Sequence, residues 1–303
     1  MRVTQNITTN NYISYIHKHT ANLIKTQQQI ATQKRINNVS DDPIGMGHVL
    51  GYRSDLAAIS QYEENITQGI TRIEFNELTL DLVSDLVNTA RRLGEEYSGP
   101  EISAAERQTV ADQIKELYDQ VMQLANSKFN GNYVFSGHAT DTAPFSRDAA
   151  FNATYNGDDG RIRIIVAENV EVSIDADGRN IFQNAANGGV NIFDELKNLI
   201  DGLENPDLVA GSAQIKASIT PLYDGRYQIN NKRSEYSPVL YRLQATEEYL
   251  FNLKPKVEDA KARIEDVDIT KAIVELKNLE LAYETTLASA ARIIQPTLLD
   301  FLR

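Results

Sequence analysis

Between residues 59 and 90 the apolar side chains recur at steps of three, four or seven: Ile59, Tyr62, Ile66, Ile73, Leu80, Val83, Val87 and Ala90. That spacing holds one stripe on one side of a helix and is the spacing of a coiled-coil seam. It predicts a single helix over residues 44–94, which at 1.5 Å per residue would run roughly 70 Å. A helix of that length leaves its stripe wet unless other helices cover it. Whatever the rest of the chain does, it has to supply those partners.

The segment that precedes this helix, NNVSDDPIGM at residues 37–46, reads as punctuation. Proline biases the residue before it toward extended backbone, aspartate is a good N-cap, and proline is favoured at the first helical position. Asp42 as cap and Pro43 as first helical residue satisfy all three, with Asp41 beside them at a hinge between helices. As a catalytic pair Asp41 and Asp42 are poor, because adjacent side chains point apart and no third group positions them. A weaker stripe, Ile13, Ile16, Thr20, Leu23, Gln27 and Ile30, predicts a helix over residues 3–36 that would be marginal alone. Ser103 with Glu106 makes a capping box that opens a helix to about residue 128.

At Asn130 the pattern changes to aromatics and turn residues, with an Asn156-Gly157 turn signal between strand-like runs and an alternation over Arg161, Ile162, Arg163 and Ile164. Residues 131–182 are expected to form a small inserted β-domain. Helix resumes at Asn191, residues 204–211 form a loop, and from about 212 to 265 helix returns, kinked or restarted by Pro221, Gly225, Pro238 and Pro255. A last helix over 269–295 carries Ile269, Ile273, Leu276, Tyr283, Leu287, Ala290 and Ile294, and Pro296 breaks it. The predicted fold is mainly α. It is an elongated antiparallel bundle of long helices, or coiled coil, formed by both chain ends, with a β-rich domain mid-chain. Its divisions are an N-terminal helix (1–40), shaft helices (41–130), the β insert (131–182), returning shaft helices (183–264) and a C-terminal helix (265–303).

Charge bears on partners. The sequence has 30 Lys and Arg against 42 Asp and Glu, a net charge of −12, which argues against nucleic acid as the main partner. The first forty residues carry Arg2, Lys18, Lys25, Lys34 and Arg35 and no acid, whereas Glu258, Asp259, Glu265, Asp266 and Asp268 cluster near the other end. Mutual attraction of the two ends follows, although exposed pairs contribute little each. Both terminal stripes are too thin to offset ordering entropy alone. The expectation is that the ends are loose in a free monomer and become ordered when many copies pack.

The sequence has no cysteine, so disulfides, thiol nucleophiles and cysteine zinc sites are excluded. No run of 18 apolar residues suggests a membrane span, and the N-terminus lacks the apolar core of a cleaved signal peptide. His17 and His19 are two apart and face different ways on a helix. NGDDG at 156–160 and DADG at 175–178 lack the Gly-six and Glu-twelve pattern of a calcium loop and read as turns. No nucleophile–base arrangement, metal site or cofactor fingerprint stands out, and the chain is read as a non-enzyme without cofactors.

Several stretches resemble one family. KRINNVSDDPIGMG, with Ser40, Asp41, Asp42, Pro43 and Gly45, is similar to the junction segment of flagellin-like proteins, in the form found in hook-filament junction proteins. QYEENITQG at 61–69, NYVFSGHATDTAPF at 132–145, ARIEDVDITKAIVEL, and LAYETTLASAARIIQPTLLDFL also resemble that group. Val39 departs from its usual proline, and the final Arg303 is closer to flagellin itself. The resemblance implies a structural subunit of the bacterial flagellum, extracellular, exported through the flagellar type III channel without a cleaved signal, and without enzymatic activity. Its implied partners are further copies of itself in a tubular ring, a neighbouring hook-associated junction protein, and the flagellin side of the junction. Before secretion an export chaperone would hold the C-terminal helix, covering Leu287, Ile294, Leu298 and Phe301. The implied assembly residues are Ile13, Ile16, Leu23 and Ile30 on the first helix and Ile273, Leu276, Tyr283, Leu287 and Ile294 on the last. Two other readings stay open: a flagellin of the filament itself, and a surface binding module acting through the β insert.

Overall fold

The computed structural model describes residues 2–175 and 177–299. In chain order its elements are α1 (Arg2–Thr32), α2 (Pro43–Glu96), α3 (Ala104–Ala125), β1 (Lys128–Phe129), β2 (Asn132–Tyr133), β3 (Phe145–Arg147), β4 (Ala153–Tyr155), β5 (Arg163–Ala167) and β6 (Val170–Ser173). Then come α4 (Gly178–Phe182), α5 (Ile192–Glu204), α6 (Leu208–Glu265) and α7 (Ile269–Leu299). The chain divides into one unit of residues 59–250 and another made of 1–58 with 251–303.

In the unit of residues 59–250, Ile59, Ile66, Ile73, Leu80 and Val87 of α2 are buried at seven-residue intervals, with Val83 and Ala90 beside them. α6 answers with Ile215, Leu222, Ile229, Tyr236, Leu243 and Leu250, also seven apart and buried. Arg233 pairs with Asp81 at 2.6 Å and Arg226 Nε donates to Ser84 Oγ at 3.4 Å, so the two helices run antiparallel. Strict seven-residue spacing is the pattern that winds helices into a left-handed supercoil. α3 and α5 pack together through Val110, Ile114, Tyr118 and Val121 against Phe193, Leu196, Leu199 and Leu203. The predicted capping box is present: Ser103 Oγ accepts from Glu106 N, and Glu106 Oε2 accepts from Ser103 N.

Several boundaries differ from the sequence reading. α6 runs unbroken through Pro221, Gly225, Pro238 and Pro255, and begins at Leu208, where Asp207 Oδ1 accepts from Val209 N at 2.9 Å. Each proline removes one hydrogen bond, while the buried series from Ile215 to Leu250 spans Pro221 and Pro238 and holds the helix there. α7 likewise continues through Pro296 to Leu299. α2 passes Gly94, which lies so close to Leu199 that a Cβ there would come within 2.8 Å of its Cδ1.

The strands make three separate antiparallel hairpins, β1–β2, β3–β4 and β5–β6, rather than one sheet. Asn156-Gly157 is not a hairpin turn: it lies between β4 and β5, and Asn156 N donates to Pro144 O. The turns are Asn130-Gly131, with φ of 50° and 86°, residues 148–152, and Glu168-Asn169. An aromatic core seats the β3–β4 hairpin, while β5–β6 lies against α2, where Asn65 Nδ2 donates to Ile165 O at 2.8 Å. Phe145 lies 5.1–5.3 Å from Tyr155, Phe182 and Phe193, and Phe135 meets Phe182 at 5.6 Å. Hairpins this short have no stability of their own, so these contacts set their positions.

The acids read as turns are engaged as turn residues. Asp158 Oδ1 accepts from His138 N and Gly160 N, and Asp177 caps α4 through Arg179 N. Asp175 is buried and paired with Arg72 at 2.9 Å. Among the described residues no three His, Asp or Glu side chains are grouped to hold a metal, and no helix is long and apolar enough to cross a membrane.

Candidate assembly interface

The unit made of both chain ends is built on α1 packed against α7. The two helices run antiparallel, since Lys34 and Asp266, just beyond their facing ends, form an antiparallel bridge. On α1 the half-buried or buried series is Thr9, Tyr12, Ile16, His19, Leu23, Thr26 and Ile30, alternating steps of three and four. On α7 it is Ala272, Leu276, Leu279, Tyr283, Thr286 and Ala290. The candidate residues therefore split. Ile16, Leu23, Ile30, Leu276 and Tyr283 lie on the seam between the helices, whereas Ile13, Ile273 and Leu287 are exposed. Phe301 lies outside the described residues, as do the side chains of Ile294 and Leu298.

The exposed set is larger than the sequence reading proposed. Ile24 of α1 and Val274 and Leu281 of α7 are 58–62% exposed, with Ile7 and Tyr15 also outward. Ile44 and Leu50, at the start of α2, are exposed too. A full turn-by-turn projection of each helix would have found Ile24, Val274 and Leu281, since they stand off the seam.

Where α1 gives way to α2, and α6 to α7, the two connections are tied together. α1 ends at Gln33, whose φ of 59° is left-handed. Arg35 N donates to Glu265 O at 2.7 Å and Val267 N donates to Gln33 O at 3.1 Å. The Glu265 carboxylate is buried and takes Lys34 Nζ at 2.7 Å, with Arg53 Nη2 on the same oxygen. Burial alone would raise its pKa, but hydrogen bonds and charge from Lys34 and Arg53 outweigh that and hold it below the ordinary glutamate value.

Asp41 and Asp42 complete the knot in different ways. Asp42 Oδ1 accepts from Gly45 N at 2.9 Å, the N-cap bond of α2, and its other oxygen pairs with Arg35 at 3.2 Å. Asp41 Oδ2 accepts from Asn38 N and Asn37 N, and its other oxygen pairs with Lys25 at 3.0 Å. The pKa of Asp41 is lowered first by the Asn38 N–H and then by Lys25, and that of Asp42 by the Gly45 N–H and then Arg35. Pro43 is the first residue of α2. Opposite charge between the two ends is realised in this knot, through Lys34 and Glu265, and not by ion pairs between α1 and α7 among the described residues. The arrangement positions helices.

Two long end helices packed together, a paired junction between them and a hairpin-bearing middle form a recognisable combination. Residues 3–140 match the family model of the bacterial flagellin N-terminal helical region. Over that stretch the chain is similar to bacterial flagellins. It is 29% identical over 197 residues to flagellar hook-associated protein 3 of Escherichia coli K12, covering 61% of each chain. To the protein of the same name in Salmonella typhimurium it is 27% identical over 217 residues, covering 68% of each. The first of these matches thus spans about three fifths of the relative's length. Bacillus subtilis flagellin is 22% identical over 298 residues, 96% of each chain. Among solved structures, flagellar hook-associated protein 3 of Legionella pneumophila has a TM-score of 0.62 at 14% identity, covering 70% of this chain and 98% of its own. At that identity the likeness is one of fold.

Proposed function

We propose that this chain is a structural subunit of the bacterial flagellum that joins hook to filament by helix packing in a tubular assembly. The observation that carries the proposal is the outward apolar set on α1 and α7, Ile13, Ile24, Ile273, Val274, Leu281 and Leu287, on helices whose mutual seam is already used. Such a surface on a thin helix pair fits burial against neighbouring copies. The likeness to hook-associated protein 3 supports the placement at the junction, with a neighbouring hook-associated junction protein on one side and flagellin on the other. The chain works by packing and not by catalysis. Export through the flagellar channel, with a chaperone on the C-terminal helix beforehand, completes the reading. The seam residues hold α1 to α7, the outward residues meet neighbours, and Asp41, Asp42 and Pro43 act as hinge and cap.

The near full-length match to Bacillus subtilis flagellin favours a second reading, a subunit of the filament itself. One experiment separates the two. An epitope-tagged copy expressed in a flagellated cell should label a single band at the base of the filament, and purified protein should not polymerise alone. Label along the whole filament, with long polymers from pure protein, would establish the second reading instead.

A further inference from the structure

Three Asn-Gly steps occur in the sequence, at 130–131, 156–157 and 187–188. Glycine has no Cβ to shield its backbone nitrogen, so that nitrogen can reach the side-chain amide carbon of the preceding asparagine. The three steps share this chemistry and differ in what restrains them.

At Asn156 the backbone N–H donates to Pro144 O at 2.7 Å and Nδ2 donates to Ser146 Oγ at 2.9 Å. Gly157 is crowded as well: a Cβ there would come within 2.5 Å of the Tyr155 hydroxyl. At Asn187, Nδ2 donates to Asn180 Oδ1 at 2.9 Å and to Asn184 Oδ1 at 3.2 Å, and the Gly188 N–H is held by Ala185 O at 3.3 Å. Asn130 has neither restraint. It is exposed, its side-chain amide meets no partner among the described residues, and the space around Gly131 is open within 4 Å. Both residues hold left-handed φ in a two-residue turn, and each flanking strand is two residues long. A ladder of two pairs, Lys128 with Tyr133 and Phe129 with Asn132, frays at little cost.

We infer that Asn130 is a site of spontaneous backbone-assisted deamidation, the fastest of the three. Solvent hydroxide removes the Gly131 N–H proton. The nitrogen attacks Asn130 Cγ, a new N–Cγ bond forms, the Cγ–Nδ2 bond breaks, and ammonia leaves. Water then opens one of the two imide C–N bonds, leaving aspartate or isoaspartate. No electrons are exchanged, and the balance is amide plus water to carboxylate plus ammonium. The product carries a new negative charge at the hairpin tip. In the isoaspartate form a methylene is added to the main chain, which dislodges the Lys128–Tyr133 pairing and the Lys128 ammonium that sits 4.3 Å over the Tyr133 ring.

The test is peptide mapping by mass spectrometry of the full chain aged in mildly alkaline buffer, folded and in concentrated urea. In the folded protein Asn130 should convert at least about tenfold faster than Asn156 or Asn187, the factor set by a restraint of about 1.4 kcal/mol. In urea the three rates should converge. Equal rates in the folded protein, a faster Asn156 or Asn187, or a ratio unchanged by urea would each overturn the assignment. Because the readout is chemical, it does not depend on whether the chain assembles.

Discussion

At the scale of single residues, two buried charges are stabilised in different ways. Glu265 is buried with two half-exposed cations on one oxygen. Glu265→Gln should cost about 1–2 kcal/mol at neutral pH, a charged hydrogen-bonded contact discounted for the exposure of Lys34 and Arg53. Its folded-state pKa is depressed, so the unfolded chain binds the proton more readily. The contribution is therefore present above the ordinary glutamate pKa and is lost as pH falls through the folded value. Melting curves of wild type and Glu265→Gln should differ at neutral pH and converge in acid. Arg107 has no carboxylate partner among the described residues. It is fully buried, with Nη1 donating to Leu208 O at 3.1 Å and Nη2 to Gly99 O at 2.7 Å. Only a planar fork serves both carbonyls, so Arg107→Lys should lose about 2 kcal/mol in urea titration. Arg107→Met, which removes the charge and keeps the bulk, should lose less.

At the scale of elements, the end of α1 is the point of strain. Gln33 sits at a left-handed φ that glycine adopts freely. Gln33→Gly should raise stability by about 0.5–1 kcal/mol in thermal melting, the left-handed penalty less the extra freedom of the unfolded chain. How far elements were legible in the sequence follows from what each seam is made of. The α2 series is almost all aliphatic, and its period declares itself. α6 keeps an equally strict series from Ile215 to Leu250, but Pro221 and Pro238 break the reading before the period is noticed. In α1 the seam mixes polar with apolar residues, so its register is ambiguous in sequence, and the reading took Ile13, Thr20 and Gln27 where Tyr12, His19 and Thr26 lie. The knot around Glu265 was beyond reach for another reason. Its cations lie 231 and 212 residues away, and no local pattern pairs them.

At the scale of the whole molecule, the proposed assembly separates folding residues from docking residues. Val274→Asp with Leu281→Asp places two charges on exposed positions of α7. Helix content by circular dichroism should be unchanged, while incorporation into flagella by an epitope-tagged copy should fall to background. Conversely, Leu23→Asp strikes the seam and should lower both. In dilute monomer, amides of residues 5–35 should exchange quickly, because the α1–α7 pair buries little apolar surface, and should become protected on assembly.

The seven-residue series of α6 carries a rule about length. Adding one residue between Leu222 and Ile229 would turn everything beyond it by about 100°, carrying Ile229, Tyr236, Leu243 and Leu250 off their common side. Adding seven would return them to it. Insertions in this stretch should therefore be accepted in whole multiples of the repeat and rejected singly.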